Sequence, residues 1–350
     1  MKVLIVKTSA LGDIIQAFGV LNYLHDRFPG IEVDWVVESS LQSIVAAHPL
    51  VRTAIAVNTK SMRKKWSWSS FSQTVKLLRK ERYDVLFDLQ KNMKSGLISA
   101  FSRSAVKVGF GFKTVREWPN VLATNKRFNL PIDANIRLQY LGLLQKYFGD
   151  DKTSSQSSVQ FRIQQEEKTK VASILQVSSH TKIMVCPGSK WINKQLPVET
   201  MTAFLLQIQS HYGADFYLMW GDAEEKAYCE QIQKKTGGVV VDRLSIPAWQ
   251  NLMCCMDLVI AVDSSALHLS ATTGTRSFSL FGPTSPDVFK PIGEAHFAMQ
   301  GSCPYGKTFI KACPVLRTCS TGACIRHLSA EKIFKEFSPW WESTIVARSY

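Results

Sequence analysis

No apolar run in this sequence approaches the ~20 residues that a membrane-crossing helix requires. A helical integral membrane protein is therefore excluded. The start does not read as a secretory leader, because its apolar stretch is short and Asp13 interrupts the apolar character soon after it. There is no short-period repeat, which excludes a solenoid. Eight cysteines in 350 residues do not suggest a disulfide scaffold; in a reducing compartment they are thiols or metal ligands. Acidic residues are scarce: 28 Asp and Glu against 42 Lys and Arg leave a net charge of +14. That balance points to an anionic partner, whether a phosphorylated substrate, an acidic membrane surface or nucleic acid. The positive charge is spread along the chain and no recognition helix or RNA-binding motif accompanies it, so nucleic acid is not expected.

A hydrophobic content of 45% and this length fit two folded domains. The chain is organised around its start. Val3-Leu4-Ile5-Val6 is fully apolar, as in a central strand covered on both faces. The polar turn Lys7–Gly12 comes next, then apolar residues at helical spacing (Ile14, Ile15, Phe18, Leu21, Leu24). Strands and helices alternate onward: Glu32–Val37, Ala54–Val57, Val85–Leu89 and Val106–Gly109 read as strands, Phe71–Arg82 and Ile136–Phe148 as helices. Gly149–Ser158 lacks periodicity and is rich in Ser and charge, which marks a boundary. Alternation resumes with strand-like Ile183–Val185, Phe216–Met219, Val239–Val241, Leu258–Val262 and Ser277–Phe281. The expected class is α/β, with two Rossmann-like doubly wound domains facing across a cleft. Residues 1–150 form the first domain, 151–158 the linker and 159–330 the second domain.

The chemistry-bearing residues fall in loops that come directly after strands. Asp13 lies where a helix N-cap belongs. It is either that cap or a general base that takes a proton from an attacking hydroxyl. The helix dipole keeps such a carboxylate ionised but lowers its basicity, which suits a mechanism with early leaving-group departure. After Ile183–Val185, the small-residue turn containing Ser189 and Lys190 is suited to a diphosphate, and Lys194 to charge on a departing phosphate. Glu224 and Glu225 come after Phe216–Met219; a carboxylate there accepts from ribose hydroxyls or opens a helix. After Leu258–Val262, Asp263 caps and orients a turn in which Ser264, Ser265 and Ala266 offer hydroxyls and N–H groups to phosphate oxygens. His268, a turn later, reads as structural. Gly282–Pro286 is another tight loop on the same edge. In the first half, Lys60–Trp68 is either a solvated basic loop or a surface for anionic headgroups, with Arg63, Lys64 and Lys65 on phosphates.

Taken together, KTSALGD at Lys7–Asp13, DWVVE at Asp34–Glu38 and DLQKNMKS at Asp88–Ser95 resemble one family. So do NKQLP at Asn193–Pro197, WGDAEE at Trp220–Glu225, VDSSALHL at Val262–Leu269 and FGPTSP at Phe281–Pro286. The family is glycosyltransferase family 9, the ADP-heptose:lipopolysaccharide heptosyltransferases, and the pattern is nearest its type I branch. The resemblance spans nearly the whole chain in order. It implies a GT-B fold whose C-terminal residues 331–350 return to the first domain. It implies inverting transfer of L-glycero-D-manno-heptose from ADP-heptose to a Kdo residue of Kdo-lipid A. It further implies a cytoplasmic protein, peripheral at the inner face of the inner membrane. Asp13 matches the catalytic base and Lys194 the diphosphate-contacting lysine. Ser189, Lys190, Asp263, Ser264, Ser265 and Ala266 match the donor-phosphate loops, and Glu224 or Glu225 the ribose-binding acid. Thr8, Ser9, Gln16, Gln90 and Lys94 fall on the acceptor side. Two positions depart from the pattern. Ser265 replaces a glycine, and its Cβ crowds the closest phosphate approach. Gln16 stands where many type I members carry His.

In the mechanism so implied, Lys194, helix N-termini and loop amides take up the diphosphate charge, so no metal or other cofactor is required. Cys303, Cys313, Cys319 and Cys324 cluster late in the chain at spacings that are not a double CxxC. Reduced thiols are the preferred expectation, and a structural Zn or Fe site is the alternative. Other functional readings are a transferase acting on a later core heptose or on a protein, and a non-catalytic binder of sugar nucleotide or anionic lipid.

Overall fold

The computed structural model describes residues 1–59, 68–151, 158–175 and 179–346. The chain divides into two compact units, Met1–Arg162 and Ile163–Tyr350. Each is built on a six-stranded sheet in which every pairing is parallel.

In the first unit the strands are β1 (Lys2–Val6), β2 (Glu32–Glu38), β3 (Thr53–Val57), β4 (Tyr83–Asp88), β5 (Ser104–Phe110) and β6 (Lys126–Phe128). Their spatial order is β3-β2-β1-β4-β5-β6. β1 is central because Val3–Val6 are solvent-free on both faces, with Val3 in register with Val33 on one side and Val85 on the other. The second unit contains β7 (Thr181–Cys186), β8 (Ala214–Leu218), β9 (Val239–Val240), β10 (Leu258–Val262), β11 (Arg276–Phe281) and β12 (His296–Gln300). Its order, β12-β11-β10-β7-β8-β9, repeats the first when read from the other edge. Both orders are those of the dinucleotide-binding Rossmann sheet. In each, strand order reverses beside the first strand, the place where such sheets bind ligands at their carboxyl ends.

Two expectations about organisation need correction. The Ser-rich stretch was expected to open the linker at 151, yet the first unit runs on to Arg162. Asp150 accepts hydrogen bonds from Tyr23 and pairs with Arg27. Beyond residues 152–157, which lie outside the described residues, Phe161 packs edge-on to Phe18 and the Arg162 N–H donates to the Ala47 carbonyl at 2.8 Å. Residues 331–350 were expected to return to the first domain. Instead, the helix Ala330–Val346 packs on the helix Val198–Tyr212, and Ile333, Phe337 and Trp341 are buried in the core of the second unit. An Ile, Phe and Trp spaced four residues apart make an apolar stripe, and the second unit's own core covers it.

Candidate active site

In the first unit the candidate residues gather on the loop after β1. The helix Leu11–Ala17 begins at Leu11, so Asp13 is its third residue and Ala10 is the N-cap, one turn off the sequence expectation. Asp13 Oδ2 accepts the Ala10 N–H at 3.3 Å, closing the helix start as a glutamate does in a capping box. Its side chain is 46% exposed, so the carboxylate is open to solvent. The Lys7 ammonium, nearly buried, stands 3.9 Å from Asp13 and lies over the Tyr140 ring. Lys7 is a neighbour of the carboxylate that sequence patterning did not single out.

The loop after β4 fixes this one. Gln90 Oε1 accepts both the Thr8 and the Ser9 N–H groups, at 3.0 and 3.2 Å. Gln90 is held in turn by Asp88, which accepts the Gln90 and Lys91 N–H groups and the Asn120 amide. Asp88 is solvent-free, and burial pushes its carboxyl up in spite of hydrogen bonds from Asn120, Ser95, Gln90 and Lys91 that pull it down. Thr8, Ser9 and Gln90 are therefore brought together, through backbone groups for the first two. Gln16 is buried, and its Oε1 has no hydrogen-bond partner among the described residues. Lys94 is exposed and makes a long contact, 3.5 Å, to Thr59. Arg63, Lys64 and Lys65 lie outside the described residues.

In the second unit the candidate residues gather at the ends of β7, β8, β10 and β11. Asp263, at the end of β10, is buried. Lys194 Nζ lies 2.6 Å from its Oδ2, the Thr284 hydroxyl donates to the same oxygen at 2.5 Å, and His268 Nε2 is 3.9 Å from Oδ1. Burial raises the Asp263 pKa. The charges of Lys194 and His268, with hydrogen bonds from Lys194 and Thr284, outweigh that effect and hold the carboxyl below its ordinary value. Asp263 was expected to cap the next turn. The N-cap is instead Ser264, and Asp263 is the counter-ion that aims Lys194. The Ser264 Oγ is buried without a hydrogen-bond partner among the described residues, an uncommon state for a hydroxyl unless a ligand completes it. Ser265 opens the helix Ser265–Ser270 and Ala266 is buried in it.

Across the loops, Glu225 reaches the turn after β7. Its carboxylate accepts the Gly221 N–H at 2.6 Å and lies so close over Gly188 that an added Cβ there would collide with Glu225 Cδ. Burial raises the Glu225 carboxyl, the Gly221 N–H lowers it, and the Asp222 charge raises it further. Glu224 is exposed on the first turn of the helix Ala223–Thr236. The structure thus separates the two acids and puts Glu225 against the turn at Gly188. Ser189 offers its carbonyl to the Gln195 amide at 2.6 Å, and Lys190 is exposed to solvent. The sequence pattern marks Gly188 as part of a small-residue turn and FGPTSP as a loop, and carries no signal that Glu225 lies over the one or that the Thr284 hydroxyl of the other reaches Asp263.

Cys303, Cys313, Cys319 and Cys324 line one cavity of about 180 Å³ together with Asn193. Asn193 donates to the Leu316 carbonyl at 2.6 Å, so this segment supports the residue before Lys194. Among the described residues, no group of three or more His, Cys, Asp or Glu is arranged to hold a metal ion.

Two Rossmann units, one presenting a carboxylate and the other a cationic phosphate-type loop system, are the parts of a GT-B glycosyltransferase. Residues 71–317 match the model of glycosyltransferase family 9 (heptosyltransferase), and the chain belongs to that family. It is 29% identical over 300 residues to lipopolysaccharide heptosyltransferase 1 of Campylobacter coli, covering 81% of this chain and 84% of the relative. It is 26% identical over 303 residues to the enzyme of the same name from Escherichia coli K12, covering 84% and 92%. Among solved structures, E. coli heptosyltransferase WaaC with ADP superposes with a TM-score of 0.79 at 21% identity, over 97% of this chain and 100% of that one.

Proposed function

We propose that this enzyme transfers L-glycero-D-manno-heptose from ADP-heptose to a Kdo residue of Kdo-lipid A, with inversion at the anomeric carbon. The observation that carries the reading is the partly buried Lys194, paired with the buried Asp263, at the carboxyl end of the second sheet. A lysine held by one buried carboxylate, with an unpartnered Ser264 hydroxyl at the adjacent helix start, suits an incoming diphosphate. The solved WaaC structures with ADP and with ADP-2-deoxy-2-fluoro heptose support a nucleotide-heptose donor here.

In the proposed reaction ADP-heptose lies on the second unit, with Glu225 as the carboxylate for the ribose hydroxyls. As the bond to ADP lengthens, the anomeric carbon becomes oxocarbenium-like. Lys194 and the loop amides take up the growing charge on the diphosphate, so leaving-group departure needs no metal or other cofactor. Asp13 receives the proton of the Kdo hydroxyl that attacks the opposite face. A heptosyltransferase handling a lipid-linked acceptor works in the cytoplasm at the inner face of the inner membrane, and the chain's net positive charge favours that surface. Among the described residues, no helix is long and apolar enough to cross it.

NMR of the product made from a β-configured ADP-heptose tests the stereochemistry. Inversion gives an α-linked heptose on Kdo. A β-linked product would overturn the single-displacement role of Asp13. A product formed only on a heptosylated core, or on a protein, would move the acceptor.

A further inference from the structure

The first unit carries an exposed apolar surface that its fold does not use. Met93 and Leu97, one helical turn apart, are 53% and 55% exposed. The 3-10 turn Trp118–Ala123 packs directly against their helix, Met93–Phe101: the Gly96 Cβ position lies 3.2 Å from Asn120 Cα and 3.7 Å from Ala123 Cβ. The Met93 N–H donates to Glu117 at 2.8 Å. Trp118 and Leu122, on that neighbouring turn, are 64% and 75% exposed. Two abutting elements thus each present large apolar side chains to solvent, which isolated surface residues do not do. The charge around them has one sign. Next to them in the chain stand the exposed Lys94, beside Met93, and the exposed Lys113 and Arg116, just before Trp118; between residues 91 and 127 the one acidic residue is Glu117, which is engaged by Met93.

Core packing gives no reason for this combination, and a water-facing loop does not favour it. A bilayer interface does: Trp and Leu enter the headgroup–acyl boundary while Lys and Arg meet lipid phosphates. We propose that the surface formed by Met93, Leu97, Trp118 and Leu122, flanked in the chain by exposed Lys94, Lys113 and Arg116, is where this protein docks on an anionic phospholipid bilayer. The charge complementarity selects this occupant over a second copy of the chain, whose facing patch would carry the same positive charge. The proposal rests on the functional reading above for its setting, since a lipid-linked acceptor is reached from a bilayer surface. It places the docking face on the unit that carries Asp13.

The test is cosedimentation of the full chain with vesicles of phosphatidylethanolamine and phosphatidylglycerol, against vesicles of phosphatidylcholine alone, without donor or acceptor. Wild type is expected on the anionic vesicles and to be released by high salt. Trp118→Ala with Leu122→Ala is expected to weaken binding at least ten-fold. Lys113→Glu with Arg116→Glu is expected to do the same, removing the difference between the two vesicle types. These side chains are at the surface, so circular dichroism and thermal midpoint stay at wild-type values. Equal binding by wild type and both variants would overturn the proposal, as would no preference for anionic vesicles. A wild-type dimer that the Trp118→Ala, Leu122→Ala variant dissolves would overturn it in favour of a second copy. Because vesicle binding is read without catalysis, a failed transferase assay would count against the proposed reaction and leave this result standing.

Discussion

At the scale of single residues, the partly buried Lys194 and the buried Asp263 form a pair whose two members depend on each other. Lys194→Ala is expected to lower kcat by about 10²–10³-fold, the usual cost of losing one preorganised group at a developing charge. It also leaves a buried carboxylate uncompensated, at a cost of about 3–5 kcal/mol in denaturant unfolding. Adding Asp263→Asn to that variant should restore most of the stability and none of the activity; a double variant that recovers turnover would contradict the role given to Lys194. The depressed Asp263 pKa fixes the sign of a pH effect. The folded state holds this proton less readily than the unfolded chain, whose aspartates titrate near about 3.9. Its stabilisation is therefore complete above the unfolded value and is lost as pH falls through the lower folded value. Unfolding measured across the acid range should show this loss in wild type and a shallower slope in Asp263→Asn. Gly188→Ala forces the flexible Glu225 side chain aside while leaving the backbone in place. We expect a rise of roughly ten-fold in the KM for donor at near-wild-type stability, since a lost ribose hydrogen bond to a charged group is worth about 1.5–3 kcal/mol.

Among the elements, what could be read from sequence depended on how much of each one is buried. β1, β4 and β10 were legible because their runs are solvent-free and therefore uniformly apolar. β6 and β12 were not: KRF is two charges and one apolar residue, and HFAMQ is three apolar residues between polar ends, whereas the edge strand β3 (TAIAV) keeps an apolar run. The helix Gln165–Ile174 was missed for a similar reason, with Val171 as its buried residue. Candidate loop residues are legible in sequence, while their structural partners are not: Asp13 is visible beside Gly12, but Lys7 sits earlier in the loop and Thr284 belongs to a loop 21 residues beyond Asp263. Asp13 also shows the limit of boundary reading, since a one-turn shift converts an N-cap into the third helical residue. The final helix was assigned to the wrong unit because an amphipathic stripe says that it is covered and does not say by what. Its anchoring residue gives a prediction: Phe337→Ala removes a solvent-free ring that meets Phe204 and Phe278 edge-on. A cost of about 3–5 kcal/mol is expected in the unfolding of the second unit. Near-UV circular dichroism of the variant should show loss of the second-unit signal at lower denaturant; a midpoint equal to wild type would contradict the packing described.

The whole molecule is two Rossmann units with the same strand order, each with its own core. The two units differ in how they arrange charge: the first presents an exposed carboxylate beside a buried lysine, and the second a lysine restrained by a buried carboxylate. At the centre of the proposed reaction, Asp13 accepts the acceptor's proton while Lys194 stabilises the departing ADP. The most direct test is release of ADP from ADP-heptose in the presence and absence of Kdo-lipid A, for wild type and Asp13→Ala. Asp13 is half-exposed and its one local bond closes a helix turn, so the variant should fold and bind donor as wild type does. Wild type is expected to release ADP only with acceptor present, and Asp13→Ala at a rate at least about 10²-fold lower with unchanged donor affinity. Acceptor-dependent release at the wild-type rate in Asp13→Ala would contradict the assignment of Asp13 as the base.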